Sequence, residues 1–166
     1  MSSTTQKSML IDHLDSVFHG PAWHGAALLP TARELEFENA ATAGFEDHTA
    51  WSMLLHCAYW KFWVRRALSD QKTPENNLPV FGRTPDDFPD LPAEPTPEAL
   101  EIDIQFLIDE HTALREAVVA LPEERLPERT PKGEFTLAGL ITGAAAHDAY
   151  HAAQIRNLGV QSFGKG

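Results

Sequence analysis

From Leu100 to Leu121 the apolar residues recur at four- and three-residue spacing: Leu100, Ile104, Leu107, Leu114, Val118 and Leu121, with His111 set into the same stripe. Only a helix places such positions on one face, and a helix with one apolar face must bury it against others. Three further segments carry the same period. Leu10, Leu14, Val17 and Phe18 form a stripe within residues 8–18, Ala50 to Val64 is apolar nearly all round, and Leu137, Leu140, Ala144, His147, His151 and Leu158 trace a last seam. Alternating strand patterns are absent from the sequence. The expectation is therefore an all-α chain, a four-helix bundle with a broken first helix.

The punctuation sets the boundaries. Gly20-Pro21 interrupts the first helix, which is expected to resume from Trp23 to Leu35 with Pro30 as a kink or break. Thr49 is the N-cap of a second helix running to about Leu68. Pro97 opens the third, Pro122 ends it, and the fourth begins near Thr136. Gly143, Ala144, Ala145, Ala146, Ala149, Ala152 and Ala153 make the fourth helix thin, so that a neighbouring backbone can approach or a ligand can enter. Ala50 to Val64 is broken only by Ser52, His56 and Lys61, which predicts burial on two sides, against the bundle and against either a homodimer partner or the following loop.

Between helices two and three, residues 71–97 hold seven of the twelve prolines, and no helix or strand fits there. Its Leu78, Val80, Phe81, Phe88 and Leu91 are expected to lie in part on the bundle surface. With 166 residues the chain reads as one domain over 1–166, the bundle covering about 8–158 and the tail 159–166 being flexible. A net charge of −11 opposes a nucleic-acid partner. The single Cys57 excludes an intrachain disulfide framework and is read as a buried, inert thiol. No stretch approaches the ~18 apolar residues of a membrane span, so no membrane partner and a cytoplasmic location are expected.

His147-Asp-Ala-Tyr-His151 puts two imidazoles one turn apart on a helix face, where they can converge on one ion. Spacing alone is weak evidence, but both lie on the interior seam, and His56 is a third interior histidine in the most apolar part of helix two. Three neutral imidazoles leave a coordination position for water or substrate, as catalytic rather than structural zinc sites do. Zinc or nickel suits such a set, with iron also open. His111 faces the interior as a fourth ligand, a donor that orients one of the ligands, or a buried core histidine. Asp148, which points to a different face from His147, is with His111 a candidate to orient a ligand or move a proton, and His24 and Trp23 are candidate pocket residues. His13, His19 and His48 read as surface residues, and Lys61, Arg65 and Arg66 as solvating the exposed end of helix two. Convincing interior carboxylates are scarce. Carboxylate-bridged di-iron bundles need Glu-x-x-His on two helices, and the chain offers only Asp148-x-x-His151. No GxSxG motif occurs, and the terminal Gly159–Gly166 stretch is a chance approach to a P-loop.

Taken in order, Pro21-Ala-Trp23-His24-Gly25, Thr49-Ala-Trp51-Ser-Met-Leu-Leu55-His56 with Trp60, Thr136-Leu-Ala-Gly-Leu140, and His147-Asp-Ala-Tyr-His151-Ala-Ala-Gln154-Ile155 resemble the DinB/YfiT-like superfamily over roughly residues 8–158. The resemblance implies a four-helix bundle whose divalent metal is held by His56, His147 and His151, commonly as a homodimer. It also implies chemistry such as thiol-dependent transfer or isomerisation. Three functional readings follow: a metal-dependent enzyme acting on a small-molecule substrate, as a thiol-dependent S-transferase or a hydrolase with a low-molecular-weight thiol as possible cofactor; a non-catalytic metal- or small-molecule-binding dimer; and a structural bundle whose histidines bond one another. On the residues alone the third ranks first; the resemblance moves the first ahead of it.

Overall fold

The structure, a computed structural model, describes residues 5–45, 48–69, 81–83, 87–130 and 133–158. Leu78, Val80 and the tail 159–166 lie outside them. The described chain is mostly helical. Helix α1 spans Gln6–His19 and starts at Thr5, whose hydroxyl accepts from Ser8 N while Ser8 Oγ accepts from Thr5 N, a reciprocal capping box. It stops at Gly20, whose φ of 83° lies in the region that favours glycine. The long helices α4 (Ala50–Leu68), α5 (Pro97–Ala120) and α6 (Leu137–Asn157) open on the hydroxyls of Thr49, Thr96 and Thr136, which accept from the amides of Ser52, Ala99 and Gly139. Each hydroxyl satisfies one of the first-turn amides that has no partner within the helix.

Two expectations need correction between α1 and α4. The chain does not resume as a helix at Trp23: Ala22 and Gly25 pair across a tight turn, and α2 runs only from Leu28 to Arg33. Pro30 neither kinks nor breaks it, because it sits in the first turn, where a missing amide is not needed. A single turn, α3 (Phe37–Ala40), follows. The absence of strands is also corrected. Strand β1 (Ala43–Phe45) pairs antiparallel with β2 (His48–Thr49), too few residues to show a period of two. Gly44 is required there, since a Cβ would lie 2.5 Å from Leu158 Cδ1 and 2.7 Å from the His48 carbonyl oxygen.

Each of the four long helices packs against two others, α1 and α4 both contacting α5 and α6. Lys7 reaches the Val119 and Leu121 carbonyls while Asp15 meets Arg115, so α1 and α5 are antiparallel. Trp51 meets Asp103 and Arg65 meets Glu110, so α4 and α5 run parallel. A parallel pair cannot be joined by a short turn. The chain after α4 must return along the whole ~28 Å of that 19-residue helix, which is why the Pro-rich connection is long. Its described part does cover the helices: Phe81 is buried against Tyr59, Phe62 and Phe106, and Phe88 and Leu91 pack on the core. The loop thus covers part of the second side of α4, while Trp60 and Trp63 remain about 40% exposed.

The buried apolar residues form two clusters. One centres on Phe18, Leu28, Trp51, Leu55 and Leu107, the other on Leu14, Val64, Leu114, Val118 and Ile141. Three buried polar residues fall where one gives way to the other: His111 between Leu107 and Leu114, Asp148 between Ala145 and Ala152, and Lys61 beside Phe62 and Val64. Among the described residues no helix is long and apolar enough to cross a membrane.

Asp103 ties the crossover to this core. Buried in α5, it accepts from Trp51 Nε1 at 2.9 Å and from Arg83 of the Pro-rich segment, whose Nε lies 3.2 Å away. Asp103→Ala would leave the Trp51 N–H buried without a partner and release Arg83. Thermal or urea unfolding is expected to show a loss of about 2–3 kcal/mol, and Asp103→Asn, which keeps an acceptor for the indole, a smaller one.

Candidate metal centre

His56 lies in the second turn of α4, and His147 and His151 sit one turn apart on α6. The two helices run antiparallel, since Trp51 and Leu55 early in α4 share one core cluster with Ala152 and Ile155 late in α6, while Val64 and Leu68 share the other with Leu137 and Ile141. This register brings three imidazoles from distant parts of the chain to one point. His147 Nε2 is 3.1 Å from His56 Nε2 and 3.0 Å from His151 Nε2. The three ligand atoms all lie within 4.8 Å of one another.

The protonation of the group follows from its neighbours. His56 Nδ1 is 2.6 Å from the Asp87 carbonyl oxygen. A carbonyl only accepts, so Nδ1 carries the proton and Nε2 of the neutral ring keeps a lone pair. Burial lowers the pKa of His56, against the pull of Asp87. Burial and then the neighbouring imidazoles push His147 down to about 3, and burial followed by His56 pushes His151 to about 4. All three rings are therefore uncharged at neutral pH. The two contacts of His147 Nε2 cannot both be full hydrogen bonds: with a proton it can give it to one neighbour only, and without one it meets the His56 lone pair with its own. His151 Nδ1 is in addition buried without a hydrogen bond. The donor set fits a cation. Nitrogens about 2.0–2.1 Å from a common ion stand ~3 Å apart, the separation that His147 Nε2 keeps from each of the other two.

Aromatic residues enclose the group. Phe88 stacks on His56 at 3.9 Å between ring centres and on its other side on His48 at 3.6 Å. His48 is thus a half-buried partner of this stack rather than the surface residue expected. Trp60 sets its ring 6.2 Å from His56 and 6.1 Å from His147, and Tyr150 stands 5.0 Å from His151 with its hydroxyl accepting from Gln154 Nε2. Both are partly exposed and form a rim. The Asp87 carboxylate, 3.2 Å from His56 Nδ1, is at the same mouth. Behind the imidazoles, Cys57, His147 and Asp148 bring their ligand atoms within 4.8 Å of one another. Cys57 is fully buried, and burial, then Asp148, pushes its thiol well up, as an inert thiol requires.

The remaining expected site residues lie elsewhere. His111 is not a fourth ligand: it stacks on Phe18 at 3.8 Å and faces Asp15 and His19 of α1. Burial, then Lys61, His19 and Arg115, pushes it down to about 2. Trp23 is fully exposed, and His24 lines a groove of about 210 Å³ with Ala26, Ala149, Ala153, Arg156 and Asn157, apart from the three imidazoles. Lys61 does not solvate the end of α4. It is buried and bonded to Asp148, because its position faces α6 rather than solvent. Arg65 instead pairs with Glu110, and Arg66 lies over the Trp63 ring. The expected scarcity of interior carboxylates is likewise corrected by Asp103 and Asp148, both buried. Sequence reasoning passed over Asp87 and Phe88, which no periodicity flags, and Tyr150. It also passed over Trp60 as a site residue, although its i,i+4 spacing from His56 was the signal available.

The DinB superfamily model matches residues 23–155 of the chain, a span that holds all three imidazoles. No curated protein and no solved structure matches it.

Proposed function

The chain belongs to the DinB superfamily, and on that premise we propose that it is a metal-dependent enzyme built on a four-helix bundle, with His56, His147 and His151 as the ligands of one divalent ion. The observation that carries this reading is the convergence of three uncharged imidazoles, with His147 Nε2 3.0–3.1 Å from the other two Nε2 atoms and His56 held in its ligating tautomer by Asp87. A bound zinc, nickel or iron ion would act as a Lewis acid, favouring the thiolate of a low-molecular-weight thiol or the hydroxide form of water near neutral pH. The residues of the chain do the rest. Asp87 orients His56 through its carbonyl, in the way partners of metal-bound imidazoles fix their rings. Phe88 keeps water from one face of His56. Trp60 and Tyr150 offer aromatic surface at the rim to a small-molecule substrate, and the Asp87 carboxylate at the same mouth is a group able to accept its proton.

The reaction class that follows is thiol-dependent S-transfer or hydrolysis. A second reading, a non-catalytic metal- or small-molecule-binding protein, is favoured by one observation: Asp103 and Asp148 are committed to Arg83, Trp51 and Lys61. The exposed Trp63 of α4 supports a homodimer that covers it, and a cytoplasmic setting accords with the single buried thiol.

The test is elemental analysis of untagged protein beside His56→Ala and His147→Ala. Each variant is expected to hold about one equivalent less of zinc, nickel or iron than wild type. Unchanged metal content in both sinks the reading. Metal-dependent turnover of thiol or ester substrates then separates enzyme from binding protein.

A further inference from the structure

His111 poses a problem that the three-histidine centre does not resolve. It is 1% exposed, and neither Nδ1 nor Nε2 has a hydrogen-bond partner. Asp15 Oδ1 stands 3.5 Å from Nε2, beyond a well-formed bond. A buried polar group left in this state costs about 1–3 kcal/mol, and proteins retain few of them. The ring is nevertheless held firmly. Phe18 stacks on it with the planes 7° apart, and His19 stands edge-on with ring centres 5.2 Å away.

The groups facing it are a ligand set. Asp15 and His19 are four residues apart on α1 and so share one face of that helix, opposite His111 on α5. One ligand atom from each of Asp15, His19 and His111 lies within 4.8 Å of the others. We propose that Asp15, His19 and His111 form a second divalent metal site at the edge of the α1–α5 interface. It is separate from the three-histidine centre, which uses α4 and α6. His111 supplies the inner ligand from the core, while Asp15 and the exposed His19 leave the site open to solvent. Arg115 Nε donates to both Asp15 oxygens, at 3.1 and 2.8 Å, which orients the carboxylate as the outer partners of metal-bound carboxylates do. Two imidazoles and one carboxylate select a late first-row ion such as zinc, cobalt(II) or iron(II). Magnesium and calcium prefer oxygen-only surroundings and are excluded. An ion there satisfies one of the two His111 nitrogens that the protein leaves bare.

The experiment is zinc titration, with cobalt(II) as a spectroscopic probe, of the full chain carrying His56→Ala and His147→Ala together. This variant is expected to keep about one equivalent of zinc, and adding His19→Ala or Asp15→Asn to weaken that binding at least tenfold. Both added substitutions lie at the solvent edge, where they spare the core. A double variant that binds no zinc overturns the proposal and leaves His111 to a buried water. Residual zinc indifferent to both His19→Ala and Asp15→Asn overturns it as well. Should the double variant fail to fold, His19→Ala in the wild type must lower the saturating zinc content by about one equivalent, and no change there overturns the site. Failure of the three-histidine reading gives a different pattern: the double variant would then bind as much zinc as wild type, while His19→Ala would still reduce it.

Discussion

Lys61→Ala is expected to destabilise the protein by about 3–5 kcal/mol, enough to consume much of the stability of a domain this size. Lys61 and Asp148 are each 1% exposed. The ammonium lies 5.0 Å from the centre of the Phe18 ring, and the second oxygen of Asp148 has no hydrogen bond at all. Burial already raises the Asp148 carboxyl, and Lys61 is the group that draws it back. Without the cation, a carboxylate stays in an apolar layer with nothing to compensate it, or takes up a proton and remains an unpaired polar group. Urea unfolding of Lys61→Ala should show a lowered midpoint with little change in slope. Replacing both partners together, as Lys61→Met with Asp148→Leu, should recover most of the loss, since a buried ion pair is about as stable as a well-packed apolar pair of similar volume. A double variant as unstable as the single one would refute this account. The pair joins the same two helices as the imidazoles, with Asp148 next to His147. Its loss is therefore also expected to loosen the register of α4 against α6 and weaken metal retention beyond its effect on folding.

The second large effect falls on His147, the ring whose Nε2 touches both others. Removing one of three ligands should weaken binding by about 3 kcal/mol or more, two powers of ten in affinity. His147→Ala followed by competition with a chelating dye should show that drop, whereas Phe88→Ala, which leaves every ligand in place, should show less than a tenth of it. Equal losses would mean that the stack on His56, rather than the nitrogen set, governs retention.

The helices were legible because their signals are local. Thr49, Pro97 and Thr136 mark helix starts by the chemistry of their own side chains, and the stripe from Leu100 to Leu121 repeats often enough to exclude a strand. The two-residue pairing at His48–Thr49 was not legible, because so short a ladder has no period. Pro30 was misread because its effect depends on which turn of the helix it occupies. His56, His147 and His151 could be gathered from their seam positions. Lys61 could not be assigned to the interior, since the residue it faces depends on how α4 slides along α6, and that is a property of the packed pair. The role of Asp87 was hidden for the same reason: what it gives His56 is a backbone carbonyl, which has no sequence signature.

Cys57 gives the molecule an internal clock. It is the single thiol of the chain, wholly enclosed, next to His56 and close to Asp148. A thiol-modifying reagent can reach it only when the packing around this part of α4 opens, so the rate of labelling measures how often the core beside the imidazoles breathes. With saturating reagent, that rate would time the opening itself, with and without an ion on the imidazoles, in a chain that needs no engineered probe.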